Sequence, residues 1–302
     1  MQLDYFIVDV FTETPLKGNP LAVVMNTAAL ETEQMQAIAR EFNLSETTFI
    51  ERRTDEVERA EGVRVRIFTT QEELNFAGHP TLGTASVLRL HAPETLRGDT
   101  VTLAENVGAV PVRFSGVGLY GEMTQRDPEF GAELDPAEVA RLIGLELEDL
   151  DPDVPPQCVS TGTAFAIVAL RSAEALARLR VDQLKATAWL HERGARWFYV
   201  LGPDGNPQAE KHDVSRSTDW RARMQFYGGE DPATGSAAGC AISHLVARGA
   251  VTSSATIHLR QGVEIGRPSD LFLSARKELA RVTDVRVAGS TVLVANGKLF
   301  LP

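Results

Sequence analysis

Two short stretches of this chain hold the side chains with most chemistry to offer. One is Asn75-Phe76-Ala77-Gly78-His79-Pro80-Thr81-Leu82-Gly83-Thr84-Ala85, and the other is Gly229-Glu230-Asp231-Pro232-Ala233-Thr234-Gly235-Ser236-Ala237-Ala238-Gly239. Each sets an ionisable residue, His79 or Asp231, beside a proline, then a run of small residues able to open a tightly packed helix. Proline is tolerated in a first helical turn because its missing N–H would have no intrahelical acceptor there. Small residues let a ligand or another backbone approach closely. The start of a helix offers free N–H groups and a partial positive charge, which suits a carboxylate. Two such starts facing each other would form a cleft for a small anionic molecule. The plain alternative is two helix N-termini packed on a core.

The acids and bases near these stretches are Glu46, His79 and Asp231, with Ser236 as a polar donor. General acid–base work needs a side chain within hydrogen-bond reach of the moving proton and a pKa brought toward the working pH. A lone glutamate in a strand ordinarily faces solvent. The apolar Leu44, Phe49 and Ile50 around Glu46 argue for burial nearby, and a buried carboxylate must be paired, protonated or functional. His79 could serve only as a helix-start cap, and Asp231 only as the N-cap of the second helix. Ser236, His79 and Asp231 could be combined on paper into a hydrolase triad, but no G-x-S-x-G elbow occurs. The remaining histidines (His91, His191, His212, His244, His258) show no metal-ligand spacing, and no Walker-type loop is present. Gly116-Val117-Gly118-Leu119-Tyr120-Gly121 spells G-x-G-x-x-G, yet the following Glu122 to Pro128 lacks a helical apolar period, so a turn between two strands is the reading. What remains is acid–base chemistry on a small anion, with neither cofactor nor metal.

The wider chain must position these groups. Its 302 residues allow two domains of roughly 150 each. A net charge of −11, from 30 basic and 41 acidic residues, argues against nucleic-acid or anionic-membrane partners. The two cysteines, Cys158 and Cys240, support neither a disulfide framework nor a zinc cluster, and they fit a reducing cytoplasm. No basic segment leads into a long apolar run, so neither a signal peptide nor a membrane span is expected.

Tyr5 to Phe11 reads as a buried strand, Thr12 to Asn19 as a loop, and Pro20 to Met25 as a second strand. Met35, Ile38, Ala39 and Phe42 recur at helical spacing over Thr32 to Phe42. Strands follow over Ser45 to Ile50 and Val63 to Phe68, then the first glycine-rich helix runs to about Leu90. Further strands are expected around Val101 to Leu103 and Ala109 to Phe114. Asp127 to Asp135 is polar and reads as a crossing, and Pro136 to Ile143 as a helix capped by Asp135. Next come strands after Pro155-Pro156 and over Phe165 to Leu170, helices over Ala173 to Leu179 and Leu184 to Glu192, and a strand from Trp197 to Leu201. Asp204-Gly205-Asn206-Pro207 is a turn signal, and Arg221 to Tyr227 leads to the second glycine-rich helix, ending near Ala247. The rest is strand-rich: Ala255 to Leu259, Leu271 to Leu273, Val282 to Val287 and Val292 to Ala295, the last two joined at Gly289-Ser290. Strands, a helix, more strands and a glycine-rich helix thus occur twice, about half a chain apart.

Four motifs in register, Gly18-Asn19-Pro20-Leu21-Ala22-Val23-Val24, Ser45-Glu46-Thr47-Thr48-Phe49, Phe76-Ala77-Gly78-His79-Pro80-Thr81 and Glu230-Asp231-Pro232-Ala233-Thr234-Gly235-Ser236-Ala237, resemble the PhzF-like family of phenazine-biosynthesis isomerases over nearly the whole chain. The resemblance implies the diaminopimelate-epimerase-like α+β fold: two pseudo-equivalent domains, each a curled β-sheet around a central helix, here 1–116 and 117–302, with the last strand able to return to the first domain. It implies a site in the cleft between them, no cofactor, and a homodimer. Glu46 matches the residue that moves the proton, while His79, Asp231 and Ser236 match residues that hold the substrate, with Asn19, Ser45, Gly78 and Gly235 as further binding candidates. Diaminopimelate epimerases instead use one cysteine per glycine stretch, and neither Cys158 nor Cys240 stands at such a position. The segment Met224 to Glu230 is shorter than the family's usual Ala-Pro-containing approach, which leaves the substrate open. The competing readings are a non-catalytic binding or scaffold protein and an amino-acid epimerase.

Overall fold

The computed structural model describes residues 1–205, 219–226 and 229–301. The chain divides into two compact units, Met1–Thr124 with Ala288–Pro302, and Gln125–Val287. The boundary falls at Thr124 and not at residue 116, because strand Gly121–Thr124 hydrogen-bonds to strand Gly108–Phe114 with Met123 opposite Val112. Strand Thr291–Phe300 lies antiparallel to Gln2–Val10, which ties the chain's last segment to the first unit.

In the first unit the strands follow one another in space as Gly108–Phe114, Thr100–Glu105, Val63–Phe68, Glu46–Glu51, Asn19–Val24, Gln2–Val10 and Thr291–Phe300. The successive pairings are antiparallel, parallel, antiparallel, parallel, antiparallel and antiparallel. Helix Gly78–His91 is buried from Gly78 to Leu88 and touches strands from both ends of that series, so the sheet curls around it. Such a helix shows little amphipathic contrast because every face is covered, which is why its residues are small or apolar all round. Helix Thr32–Phe42 lies outside the sheet, packing Met35, Ile38 and Ala39 on Val24, Phe49 and Phe68. It ends where Asn43 takes the left-handed conformation at φ 51°.

The second unit repeats the scheme. Its series is Ser269–Glu278, Ile257–Gln261, Asp219–Arg223, Phe198–Pro203, Ala164–Ala169, Gln157–Ser160 and Glu129–Glu133. The pairings run antiparallel, parallel, antiparallel, parallel, antiparallel and antiparallel, as in the first unit. Helix Gly235–Ala247 is buried from Gly235 to Val246 and packs on the strands of this unit. A second core forms between helix Pro136–Ile143, the 3₁₀ turn Ala173–Arg178, helix Gln183–His191 and the strands beneath them. Asp135 caps Pro136–Ile143, accepting from the N–H groups of Ala137 and Glu138.

Several elements depart from the sequence expectation. Helix Asp55–Glu61 has no apolar period, and it is held instead by Glu58, which accepts from Arg52 and from the Arg53 N–H. Asp127 to Asp135 contains the exposed strand Glu129–Glu133, whose backbone is ordered by pairing with Gln157–Ser160. Ala173–Arg178 winds as a 3₁₀ helix and not as an α-helix. Gly116 to Gly121 connects two antiparallel strands, as the missing helical period implied. Asn206, Pro207 and Tyr227 lie outside the described residues. No helix among the described residues is long and apolar enough to cross a membrane.

Candidate active site

In the first unit, Asn19 opens strand Asn19–Val24, Glu46 opens the parallel strand Glu46–Glu51, and His79 is the second residue of helix Gly78–His91. Leu21 sits opposite Glu46 in the strand register, so the two strand starts lie side by side. His79 is buried to 2% exposure and Glu46 to 9%, the burial that Leu44, Phe49 and Ile50 argued for. The Asn19 amide nitrogen donates to His79 Nδ1 at 3.1 Å. Nδ1 is therefore the accepting nitrogen and the proton sits on Nε2. That Nε2 faces Glu46 Oε2 at 3.3 Å but makes no aligned hydrogen bond among the described residues. Burial pushes the His79 pKa down to about 3, so the ring is neutral and the contact with Glu46 is not an ion pair at neutral pH. Gly78 is the first residue of this helix, and Thr81 N–H is the first to return to the Ala77 carbonyl. The helix thus offers no internal acceptor to the N–H groups of Gly78 and His79. Ser45 is half-buried in the bend just before Glu46.

In the second unit, Gly235 and Ser236 take the same first and second helical positions that Gly78 and His79 hold in theirs. Asp231 is not the N-cap of this helix, because Thr234 occupies that place and Pro232 lies ahead of the first turn. Asp231 is instead a buried carboxylate anchored by its surroundings. Thr234 Oγ1 donates to Asp231 Oδ2 at 2.6 Å. The Gln261 amide nitrogen donates to the Asp231 carbonyl at 2.9 Å and to Thr234 Oγ1 at 3.0 Å. The Gln261 oxygen accepts from Tyr199 Oη at 2.9 Å and from Thr234 N–H at 3.1 Å. All four hydrogen-bonding directions of Gln261 are used, and the Thr234 proton is left to the Asp231 carboxylate. Burial, with Asp231 and Cys240 nearby, holds the Tyr199 phenol far above its ordinary pKa, so it remains a donor. Gln125 fixes the same helix start, donating to the Gly235 carbonyl at 2.9 Å and accepting from Thr161 at 2.7 Å.

The sequence readings located Asn19, Glu46 and His79, which the fold brings together, and Asp231, Gly235 and Ser236, which share one helix start. They missed Gln261, Thr234, Tyr199 and Gln125, whose partners are distant along the chain. The only sequence signal was Thr234 three residues after Asp231. Neither cysteine resembles a catalytic thiol: burial pushes Cys240 up to about 12 and raises Cys158 as well. Cys240 is the sixth residue of its helix, donating to the Thr163 carbonyl.

The profile of the family described as phenazine biosynthesis-like protein matches residues 8–297. A trans-2,3-dihydro-3-hydroxyanthranilate isomerase of Pseudomonas fluorescens is 34% identical over 99% of this chain and 99% of its own. An uncharacterised isomerase of Mesorhizobium japonicum is also 34% identical, again over 99% of both chains. Among solved structures, a predicted epimerase of Pseudomonas aeruginosa superposes with TM-score 0.81 at 34% identity, covering 99% of this chain and 100% of that one. A probable proline racemase of Agrobacterium radiobacter shares the fold at TM-score 0.64 and 11% identity, over 99% of this chain and 93% of that one. The architecture is thus the diaminopimelate-epimerase-like fold, with a curled sheet around a central helix in each unit. The chain belongs to the phenazine biosynthesis-like (PhzF) family and is an isomerase of that type.

Proposed function

We propose that this isomerase moves a proton on a small carboxylated metabolite by acid–base catalysis, without a cofactor, and that Glu46 is the proton carrier. The observation that carries this reading is the burial of Glu46 beside a neutral His79, whose Nε2 stands 3.3 Å from Glu46 Oε2. A carboxylate shielded from water, next to a ring that does not neutralise it with a full charge, keeps its basicity for a carbon-bound proton. His79 then serves as an oriented donor to the substrate, with Asn19 holding its tautomer. The N–H groups of Gly78 and His79, which have no acceptor inside the helix, suit a substrate carboxylate. Asn19 and Ser45, beside Glu46 in the first unit, and Asp231, Gly235 and Ser236 in the second are proposed as further substrate-binding residues. That assignment is supported by the family resemblance and by the anchoring of Asp231. The relatives named as trans-2,3-dihydro-3-hydroxyanthranilate isomerases make a cyclic dihydro-amino acid of that kind the first substrate to offer.

The test is incorporation of solvent deuterium into a panel of cyclic and amino-acid carboxylates that includes this compound. Conversion with exchange supports the reading. Glu46→Gln keeps the shape and removes the titrating group, so turnover should fall about 100- to 10,000-fold while binding survives. Near wild-type turnover in that variant would pass the role to His79 or Asp231. Binding without exchange or conversion would point to a binding protein, and loss of optical rotation in the panel would point to an epimerase.

A further inference from the structure

Glu105 is a buried carboxyl that the proposed reaction does not use. It is the last residue of strand Thr100–Glu105, which follows the helix carrying His79. Thr81 Oγ1 lies 2.6 Å from Glu105 Oε1 and 2.8 Å from the Ala77 carbonyl oxygen. A threonine hydroxyl has one proton, so it cannot donate fully to both. If Glu105 were ionised, one of these contacts would set two acceptors against each other. If Glu105 carries a proton, it donates to Thr81 Oγ1, Thr81 donates to Ala77, and both contacts are satisfied. Glu105 Oε2 has no hydrogen-bond partner among the described residues, which a carboxylate would find costly in a buried position. Arg64 is directed to the Ala104 carbonyl and to Asn106 Oδ1, and it makes no ion pair with Glu105.

The second unit supplies an independent comparison. In the matched strand series Thr100–Glu105 corresponds to Ile257–Gln261, and Glu105 corresponds to Gln261 as the last residue. Gln261 is an uncharged donor and acceptor that braces Thr234, the N-cap of its own unit's helix. Ala77 is the N-cap in the first unit. A protonated glutamate is close in shape to glutamine and, like it, is uncharged and can both donate and accept, with one donor proton where the amide has two.

We infer that Glu105 is held as a neutral carboxylic acid and is a positioning residue, bracing through Thr81 the Ala77 carbonyl at the start of the helix that presents Gly78 and His79. Burial pushes its pKa up to about 8, opposed by the hydrogen bond with Thr81 and by the charge of Arg64. Because the folded chain keeps a proton that the unfolded chain releases above about 4.5, this group favours folding most at low pH, and that contribution falls as pH rises from about 4.5 to about 8. Only the consequence for catalysis rests on the proposed function; the protonation state and the brace do not.

The experiment uses the full chain with 13C-labelled glutamate carboxyls and 15N-labelled histidine, titrated by NMR beside Glu105→Gln and Glu105→Leu. One glutamate carboxyl should stay protonated through neutral pH and titrate near pH 8, and its signal should be missing in Glu105→Gln. The His79 ring signals should be unchanged in Glu105→Gln and shifted in Glu105→Leu, and wild type above pH 8 should show a shift as well. If Glu105→Leu does not fold, the wild-type titration supplies the same readout. Thermal unfolding of wild type should lose ground to Glu105→Gln as pH rises toward 8. A Glu105 carboxyl that titrates in the ordinary range would overturn the inference, as would His79 signals indifferent to its ionisation. None of these measurements needs a substrate, so a failed Glu46 assay would leave them standing.

Discussion

At the scale of single residues, the state of His79 is set by two neighbours with different roles. Burial removes its charge, and the Asn19 amide selects which nitrogen keeps the proton. Asn19→Ala removes the donor that selects the tautomer. The histidine 15N spectrum should then show His79 losing its single Nε2–H form. On a proven substrate kcat/KM should fall about 5- to 10-fold, the worth of one oriented hydrogen bond. An unchanged tautomer with an unchanged rate would show that the helix start alone orients the ring. These roles were only partly legible in the chain. Glu46 and His79 stand out as residue types, but Asn19 lies sixty positions from its partner and could be paired with it only through strand register.

At the scale of elements, each central helix is positioned by side chains that reach its first turn from elsewhere in its own unit. In the second unit Gln125 fills the space beside Gly239, where an added Cβ would stand 2.0 Å from Gln125 Oε1. Gln125 cannot easily swing away, because Thr161 and the Gly235 carbonyl hold both ends of its amide. Alanine favours a helix over glycine by about 1 kcal/mol, yet overpacking of this kind costs typically 1–3 kcal/mol. Gly239→Ala is therefore expected to lower stability by up to about 2 kcal/mol in urea unfolding. The same change in a Gln125→Ala background should be neutral or stabilising, since the clash is gone. Equal costs in both backgrounds would place the strain elsewhere. The sequence pattern revealed both helices through their small residues, while the braces on them left no periodic trace.

At the scale of the whole molecule, two buried histidines in different units make the chain sensitive to acid. Burial pushes His79 down to about 3 and His244 down to about 4, against an ordinary value of 6.5. Between those limits the unfolded chain binds protons that the folded chain refuses. Their contribution is therefore fully present above about pH 6.5 and is lost as pH falls toward 3 to 4. His244 donates through Nε2 to the Pro155 carbonyl and takes no part in the proposed chemistry. His244→Gln should reduce the stability lost between pH 7 and pH 4 by on the order of 2–3 kcal/mol, read by denaturant unfolding at both values. A variant that loses stability in acid as steeply as wild type would remove His244 from this account.

The amino-acid sequence by itself determined the secondary elements whose signal is local. The helical spacing of Met35, Ile38 and Ala39, the capping of Pro136–Ile143 by Asp135, and the two glycine-rich helix starts depend on neighbours within a few residues. Its four motifs were also sufficient to name the family and, with it, the fold. Elements without an apolar period were not legible, such as the exposed strand Glu129–Glu133, ordered by pairing with Gln157–Ser160, and the charged helix Asp55–Glu61, held by Arg52 and Arg53. Burial and protonation were decided only by the tertiary structure. The apolar neighbours of Glu46 pointed to burial nearby, but its enclosure beside His79 is set by the fold, while Asp231 resembles an N-cap in the chain and is a braced carboxylate in space. The physical reason is that desolvation and hydrogen-bond partnership depend on what long-range strand pairing places around a group.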